Sequence, residues 1–161
     1  MADPKDWNSV DDILDFAIER EEEAAKFYQE TADQASSDWM KKIFLQYAKE
    51  ELGHRAKLQN VKKGKKALSA SGKIRDMKMA DYLVAVEATG DMSYQQILVL
   101  AMKREKAAFK LYSDLAERVD DVPVRDLFQG LAEEEAKHKL RFELEYDEVI
   151  LRDNQSDGLA G

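Results

Sequence analysis

Apolar residues recur at helical spacing along four long stretches of this chain. The first runs through Val10, Ile13, Leu14, Ala17, Ala24, Tyr28, Ala32 and Ala35, a stripe with the period of an amphipathic helix. Ser9, with Asp12 three residues on, resembles a capping box at its start. After the turn Ser36-Ser37-Asp38 a second stripe follows through Met40, Ile43, Phe44, Tyr47, Leu58 and Val61. It is expected to end near Gly64, where Lys62-Lys63-Gly64-Lys65-Lys66 reads as the basic last turn favoured by the helix dipole rather than as a nucleic-acid patch. A third stripe, Leu98, Ala101, Ala108, Tyr112, Leu115 and Val119, opens behind Ser93 and Gln96, another capping box. The fourth carries Val124, Phe128, Leu131, Phe142 and Val149 after Asp120-Asp121-Val122-Pro123, a turn with an N-cap and a first-turn proline. Between them the pattern weakens over residues 65–92, with a short helix expected over Met79–Glu87. Residues 154–161 read as a frayed polar tail. The chain is therefore expected to be a single all-α domain, with the long connection crossing the length of a four-helix bundle.

Six polar residues interrupt the apolar seams rather than lying opposite them. They are Glu21, Glu51, His54, Glu105, Glu135 and His138, and the two histidines are the only ones in the chain. Each histidine follows a glutamate by three residues, so each pair shares one helix face. Shifting the chain against itself by 84 positions, the separation of the histidines, aligns residues 13–54 with 97–138 without a gap. Ile13/Ile97, Arg20/Arg104, Glu21/Glu105, Ala24/Ala108, Tyr28/Tyr112, Phe44/Phe128, Glu50/Glu134, Glu51/Glu135 and His54/His138 are identical pairs. The bundle is thus two copies of a helical hairpin, about 9–64 and 93–153, joined by a crossover of about 65–92. Position 36, midway between Glu21 and Glu51, falls in the first turn, and position 120, midway between Glu105 and Glu135, falls in the second. Antiparallel helices joined there bring each pair level, about 22 Å from its turn at 1.5 Å per residue.

Composition narrows what such a bundle can do. The net charge of −8 argues against a nucleic-acid backbone as partner. Cysteine is absent, which excludes disulfides, thiol catalysis and thiolate-ligated zinc or iron–sulfur centres in this chain. No apolar run approaches the length of a membrane span, and the start has no apolar signal region, so a soluble, cytoplasmic protein is expected.

Four carboxylates gathered in a dry core require compensating charge, because buried ions cost several kcal/mol each and like charges add to that. Two divalent cations neutralise four carboxylates. Oxygen and imidazole ligands without thiolate suit iron or manganese, or a mixed pair, better than structural zinc. The competing reading is a plain bundle in which these groups form solvated stripes or salt bridges.

The paired segments Glu21-Glu22-Glu23-Ala24-Ala25-Lys26-Phe27-Tyr28 with Glu51-x-x-His54, and Glu105-Lys106-Ala107-Ala108-Phe109-Lys110-Leu111-Tyr112 with Glu135-x-x-His138, resemble the ferritin-like di-iron carboxylate superfamily, most closely its rubrerythrin-like branch. That superfamily takes one Glu from each of two helices and Glu-x-x-His from each of the other two. The resemblance spans about residues 9–150. It implies a ferritin-like bundle in which Glu21 and His54 hold one iron, Glu105 and His138 the other, and Glu51 and Glu135 bridge. Tyr28 and Tyr112, two turns after their glutamates on the same faces, are placed either to hydrogen-bond the ligand carboxylates or simply to fill the core. Arg20 and Arg104 read as surface or ion-pair residues. Two departures stand out. Rubrerythrins carry a further ligand glutamate where this chain has Ala108, and a Cys-rich electron-delivering module that this sequence lacks.

The resemblance implies reduction of hydrogen peroxide with electrons from a separate donor protein. A ferroxidase that oxidises Fe(II) with oxygen and a metal-binding bundle without turnover remain as alternatives. It also implies a homodimer, with hairpins exchanged across the crossover as one form. The segment 156–161 is either a docking peptide for a container protein or a frayed end.

Overall fold

A computed structural model describes residues 7, 9–64, 74, 76–84 and 90–160, with side chains to residue 154. Four long helices dominate it: α1 (Val10–Thr31), α2 (Asp38–Gly64), α3 (Tyr94–Arg118) and α4 (Val122–Ala160). The start of each is capped by a side chain. Ser9 accepts from the Asp12 amide, Ser37 from Met40, and Asp121 from Val124 at 3.2 Å. Ser93 and Gln96 make the full reciprocal box. Each such cap stabilises a helix by about 1 kcal/mol. They fix where the two hairpin turns fall, and so the register of everything downstream.

α1 packs most closely on α2, and α3 on α4. The two hairpins meet largely through long side chains. Their turns lie at opposite ends of the bundle. Val10, Ile13 and Leu14 of α1 share one apolar cluster with Leu58 and Val61 of α2, Leu111 and Leu115 of α3, and Phe128 and Leu131 of α4. The far ends of the same helices, with Tyr28, Phe44, Leu98 and Phe142, build a second cluster. Between the two clusters each helix contributes a layer of buried polar side chains. That layer is the central feature of the fold.

The connection from α2 to α3 travels from the first cluster to the second, as a crossover must. Ile74, Met77 and Tyr82 are buried in the first, while Val84 and Met92 pack on the other. The helix expected over Met79–Glu87 is only a 3-10 turn, Met79–Tyr82, and Leu83 is extended (φ −83°, ψ 146°). Tyr82 ends it because its ring is anchored twice. It stacks on Trp7 at 5.6 Å, and its hydroxyl donates to Asp114 Oδ2 at 2.6 Å. The remainder of that expectation, 85–87, lies outside the described residues, as do the crossover residues 65–73. The tail expected from Asn154 is instead helical backbone to Ala160. No proline or earlier glycine interrupts that stretch, so the i→i−4 pattern continues to Gly158 and beyond. Ala35, Ile43, Tyr47 and Ala108, expected in the core, are only partly buried.

A buried carboxylate also ties the hairpins together. Glu145 of α4 accepts from Ser36 Oγ, in the first hairpin's turn, and from Tyr94 Oη, at the start of α3, both at 2.5 Å. Among the described residues no helix is long and apolar enough to cross a membrane.

Candidate metal centre

The structure brings all six seam residues into the polar layer, each between 1% and 4% exposed. Solvated surface stripes are thereby excluded, since all six side chains are buried between the helices. One ligand atom from each of Glu21, Glu51, His54 and Glu135 lies within 4.8 Å of the others, and the same holds for Glu51, Glu105, Glu135 and His138. The two groups share Glu51 and Glu135. The local reason is the 84-residue repeat: each hairpin supplies one glutamate from its first helix and a Glu-x-x-His face from its second, at equal height.

Each inner atom lacks a partner. Glu21 Oε2, Glu51 Oε1, His54 Nδ1, Glu105 Oε2, Glu135 Oε1 and His138 Nδ1 are buried with no hydrogen bond among the described residues. His54 Nδ1 is 2.8 Å from Glu135 Oε1 and 3.6 Å from Glu21 Oε2, and His138 Nδ1 is 3.3 Å from Glu51 Oε1. Buried polar groups are almost always satisfied in folded proteins. Six orphans converging on one point, each a good ligand for a hard or borderline cation, fit a metal centre.

The outer atoms of Glu21, Glu105 and both histidines, by contrast, are held. Tyr28 Oη donates to Glu105 Oε1 and Tyr112 Oη to Glu21 Oε1, so each tyrosine serves the carboxylate of the opposite hairpin. His54 Nε2 is hydrogen-bonded to Glu134 Oε2, and His138 Nε2 to Glu50 Oε2 at 3.0 Å. These links also cross between hairpins. An imidazole that donates from Nε2 to a carboxylate presents its Nδ1 lone pair inward, the tautomer a metal needs. Glu50 and Glu134 carried no role in the sequence reading, although they repeat and directly precede the seam glutamates. Tyr47 was likewise taken only as a core aromatic. It lies flat on His138, with ring centroids 3.7 Å apart and 19° between planes. Its counterpart in the repeat is Leu131, so the repeat supplies no second tyrosine at the position equivalent to 47.

Without a metal, protons compensate the charge. Burial, then the neighbouring carboxylates, raises Glu51 and Glu135 well above the usual carboxylate range. Burial opposes ionisation of Glu105 as well, but its bonds to Glu135, His138 and Tyr28 win and lower it. Burial disfavours the imidazolium of His138, yet Glu105 and Glu51 outweigh it and push that group up to about 11. His54 moves the same way through Glu21 and Glu134. Burial and the adjacent carboxylates raise Tyr28 and Tyr112 well above the ordinary phenol value, so both stay protonated donors.

A cavity of about 210 Å³ opens between α1 and α3 onto this layer. Arg20 and Arg104 border it. Arg20 pairs with Glu23 at 2.9 Å and lies over the Phe16 ring, and Arg104 lies over Phe27. Both are therefore rim residues.

The sequence pattern of the rubrerythrin family matches residues 12–146. The crystal structure of a candidate ferritin-like diiron-carboxylate protein from Thermotoga maritima superposes with a TM-score of 0.73 at 23% sequence identity, covering 88% of this chain and 96% of that one. At that identity the likeness speaks for the fold. No curated protein matches the chain significantly.

Proposed function

This chain belongs to the rubrerythrin family, and on that premise we propose that it is a non-haem di-iron oxidoreductase that reduces hydrogen peroxide with electrons from a separate donor protein. The observation that carries the reading is the set of six inward, buried, unpartnered ligand atoms in two groups sharing two glutamates. In this reading Glu21 and His54 would hold one ion and Glu105 and His138 the other, with Glu51 and Glu135 available to both. When bound, two ferrous ions supply the two electrons that O–O cleavage requires and act as Lewis acids.

The chain's own groups supply the rest. Glu134 and Glu50 fix the imidazole orientations, and Tyr112 and Tyr28 hold the outer oxygens of Glu21 and Glu105, leaving Oε2 of each free to turn inward. The phenol hydroxyls stay protonated and hold the outer carboxylate oxygens by charge-assisted hydrogen bonds. The apolar clusters above and below keep bulk water out, so the charge on the carboxylates is felt at low dielectric.

The test is anaerobic loading with Fe(II) to two equivalents, followed by parallel mixing with hydrogen peroxide and with oxygen. Fast oxidation by peroxide and slow oxidation by oxygen is the expected result. The reverse order would make the protein a ferroxidase. Binding of far fewer than two ions per chain, or full binding by a His54→Ala/His138→Ala double variant, would refute the centre itself.

A further inference from the structure

The α1–α3 cavity is larger than hydrogen peroxide needs. About 210 Å³ is available. A cavity of about 150 Å³ is enough to hold a benzene ring, and a water molecule takes roughly 30 Å³ of liquid volume. The inner end of the α1–α3 cavity is formed by Glu21, Glu51, Glu105 and Glu135, all buried, and its outer end by the exposed Arg20–Glu23 pair. Between them Phe16, Ala24, Ala108, Leu111, Val84 and the ring of Tyr112 supply apolar wall, beside Tyr82 and Arg104.

The repeat explains why the space exists. Ala24 and Ala108 occupy equivalent positions one turn after Glu21 and Glu105, on the faces that α1 and α3 turn toward each other. With only a methyl group from each helix the gap stays open. The inner end of the cavity therefore suits a polar O–O group, and the stretch between the two charged ends an apolar substituent.

We propose that the cavity admits small organic hydroperoxides, ROOH, with R up to about the size of a cumyl group, and that Ala24 and Ala108 set this limit. The inference rests on the peroxide-reducing reading of the same centre and extends it to a substrate class. The balance is that of the simpler substrate. ROOH would take two electrons from the bound ferrous ions and two protons from solvent; the O–O bond would break, and ROH and water would leave. Re-reduction of the two ferric ions falls to the same one-electron donor protein. The –OOH group points inward, and R lies against Ala24, Ala108 and Leu111, where burying a phenyl or tert-butyl group is favourable by about 25 cal/mol per Å² of apolar surface.

The experiment mixes the anaerobic diferrous protein with hydrogen peroxide, tert-butyl hydroperoxide and cumene hydroperoxide, and separately titrates the metal-free protein with 2-phenyl-2-propanol by NMR. Both organic hydroperoxides are expected to oxidise the centre within about tenfold of the hydrogen peroxide rate. The alcohol, shaped like the product, is expected to shift the methyl resonances of Ala24, Ala108 and Leu111. Ala108→Leu, which narrows the cavity, is expected to lower the cumene hydroperoxide rate at least tenfold more than the hydrogen peroxide rate and to abolish those shifts. Oxidation by hydrogen peroxide alone, with organic rates more than a hundredfold lower or no alcohol-induced shifts in the wild type, overturns this inference and leaves the peroxide reading standing. If none of the three oxidises the diferrous protein, the peroxide reading falls and this one with it. The alcohol titration uses wild-type protein, so a poorly folded variant does not blunt the test.

Discussion

Without bound metal, this protein should be sensitive to alkali over a range where most proteins are indifferent. In the metal-free fold His138 holds its proton up to about 11 because Glu105 and Glu51 outweigh the cost of burial, whereas an unfolded histidine releases it near 6.5. A group whose folded pKa is raised binds more protons in the native state, so its stabilisation is complete below the unfolded value and is lost as pH rises toward the folded one. Each extra proton held by the native state costs about 1.4 kcal/mol per pH unit in that window. From about pH 7 to 8.5, His138 alone removes roughly 2 kcal/mol, or about 4–8 °C of Tm for a domain of this size. His54, Glu51 and Glu135 are shifted upward as well and act with the same sign, the glutamates from about pH 4.5 upward. Metal binding requires the ligands to be deprotonated, so the loaded protein lacks this slope. The assay is thermal unfolding followed by circular dichroism, with chelator and with two equivalents of metal, at several pH values between about 6 and 8.5. A metal-free Tm that is flat or rising over this range, or a loaded Tm that falls as steeply, would refute the account of protons standing in for cations.

Two further outcomes follow from the contacts around the histidines. Glu134→Ala and Glu50→Ala each free an imidazole to rotate, and each should weaken metal binding by about 10- to 100-fold with the helical content unchanged, as measured by competition with a chelator. Tyr47→Leu, which copies the residue at the equivalent position 131, should cost about 0.5–1.5 kcal/mol for the lost ring contact. It should also move the imidazole NMR signals of His138 while leaving those of His54 in place.

Much of the centre was legible in the chain. Helix positions follow from the 3.6-residue period and from Ser9, Ser37, Ser93 and Asp121, local signals that need no partner. The candidate ligand set follows from charge: glutamates and histidines inside apolar seams demand a reason, and the repeat puts all six at one height. Where local signals were weak, the reading slipped. Tyr82 ends its 3-10 turn early because its partners, Trp7 and Asp114, are distant in sequence. At the other end of the chain, α4 outruns its polar composition because nothing in 154–157 stops a helix.

What the sequence by itself determined is therefore a bundle of two like hairpins and the six side chains that face its middle. The tertiary structure decided everything that crosses between the hairpins. Tyr28 lies two turns beyond Glu21 on one helix, yet it bonds Glu105. Side chains on a helix lean toward its N-terminus, and the partner hairpin runs the opposite way, so the hydroxyl meets the neighbour's carboxylate first. Glu50 and Glu134 likewise each bond the histidine of the opposite hairpin. The gap left by Ala24 and Ala108 exists only once α1 faces α3. Periodicity fixes which face of a helix is turned inward, but not which residue of another helix it will meet there; that depends on how far apart the packed hairpins stand and in which direction each one runs.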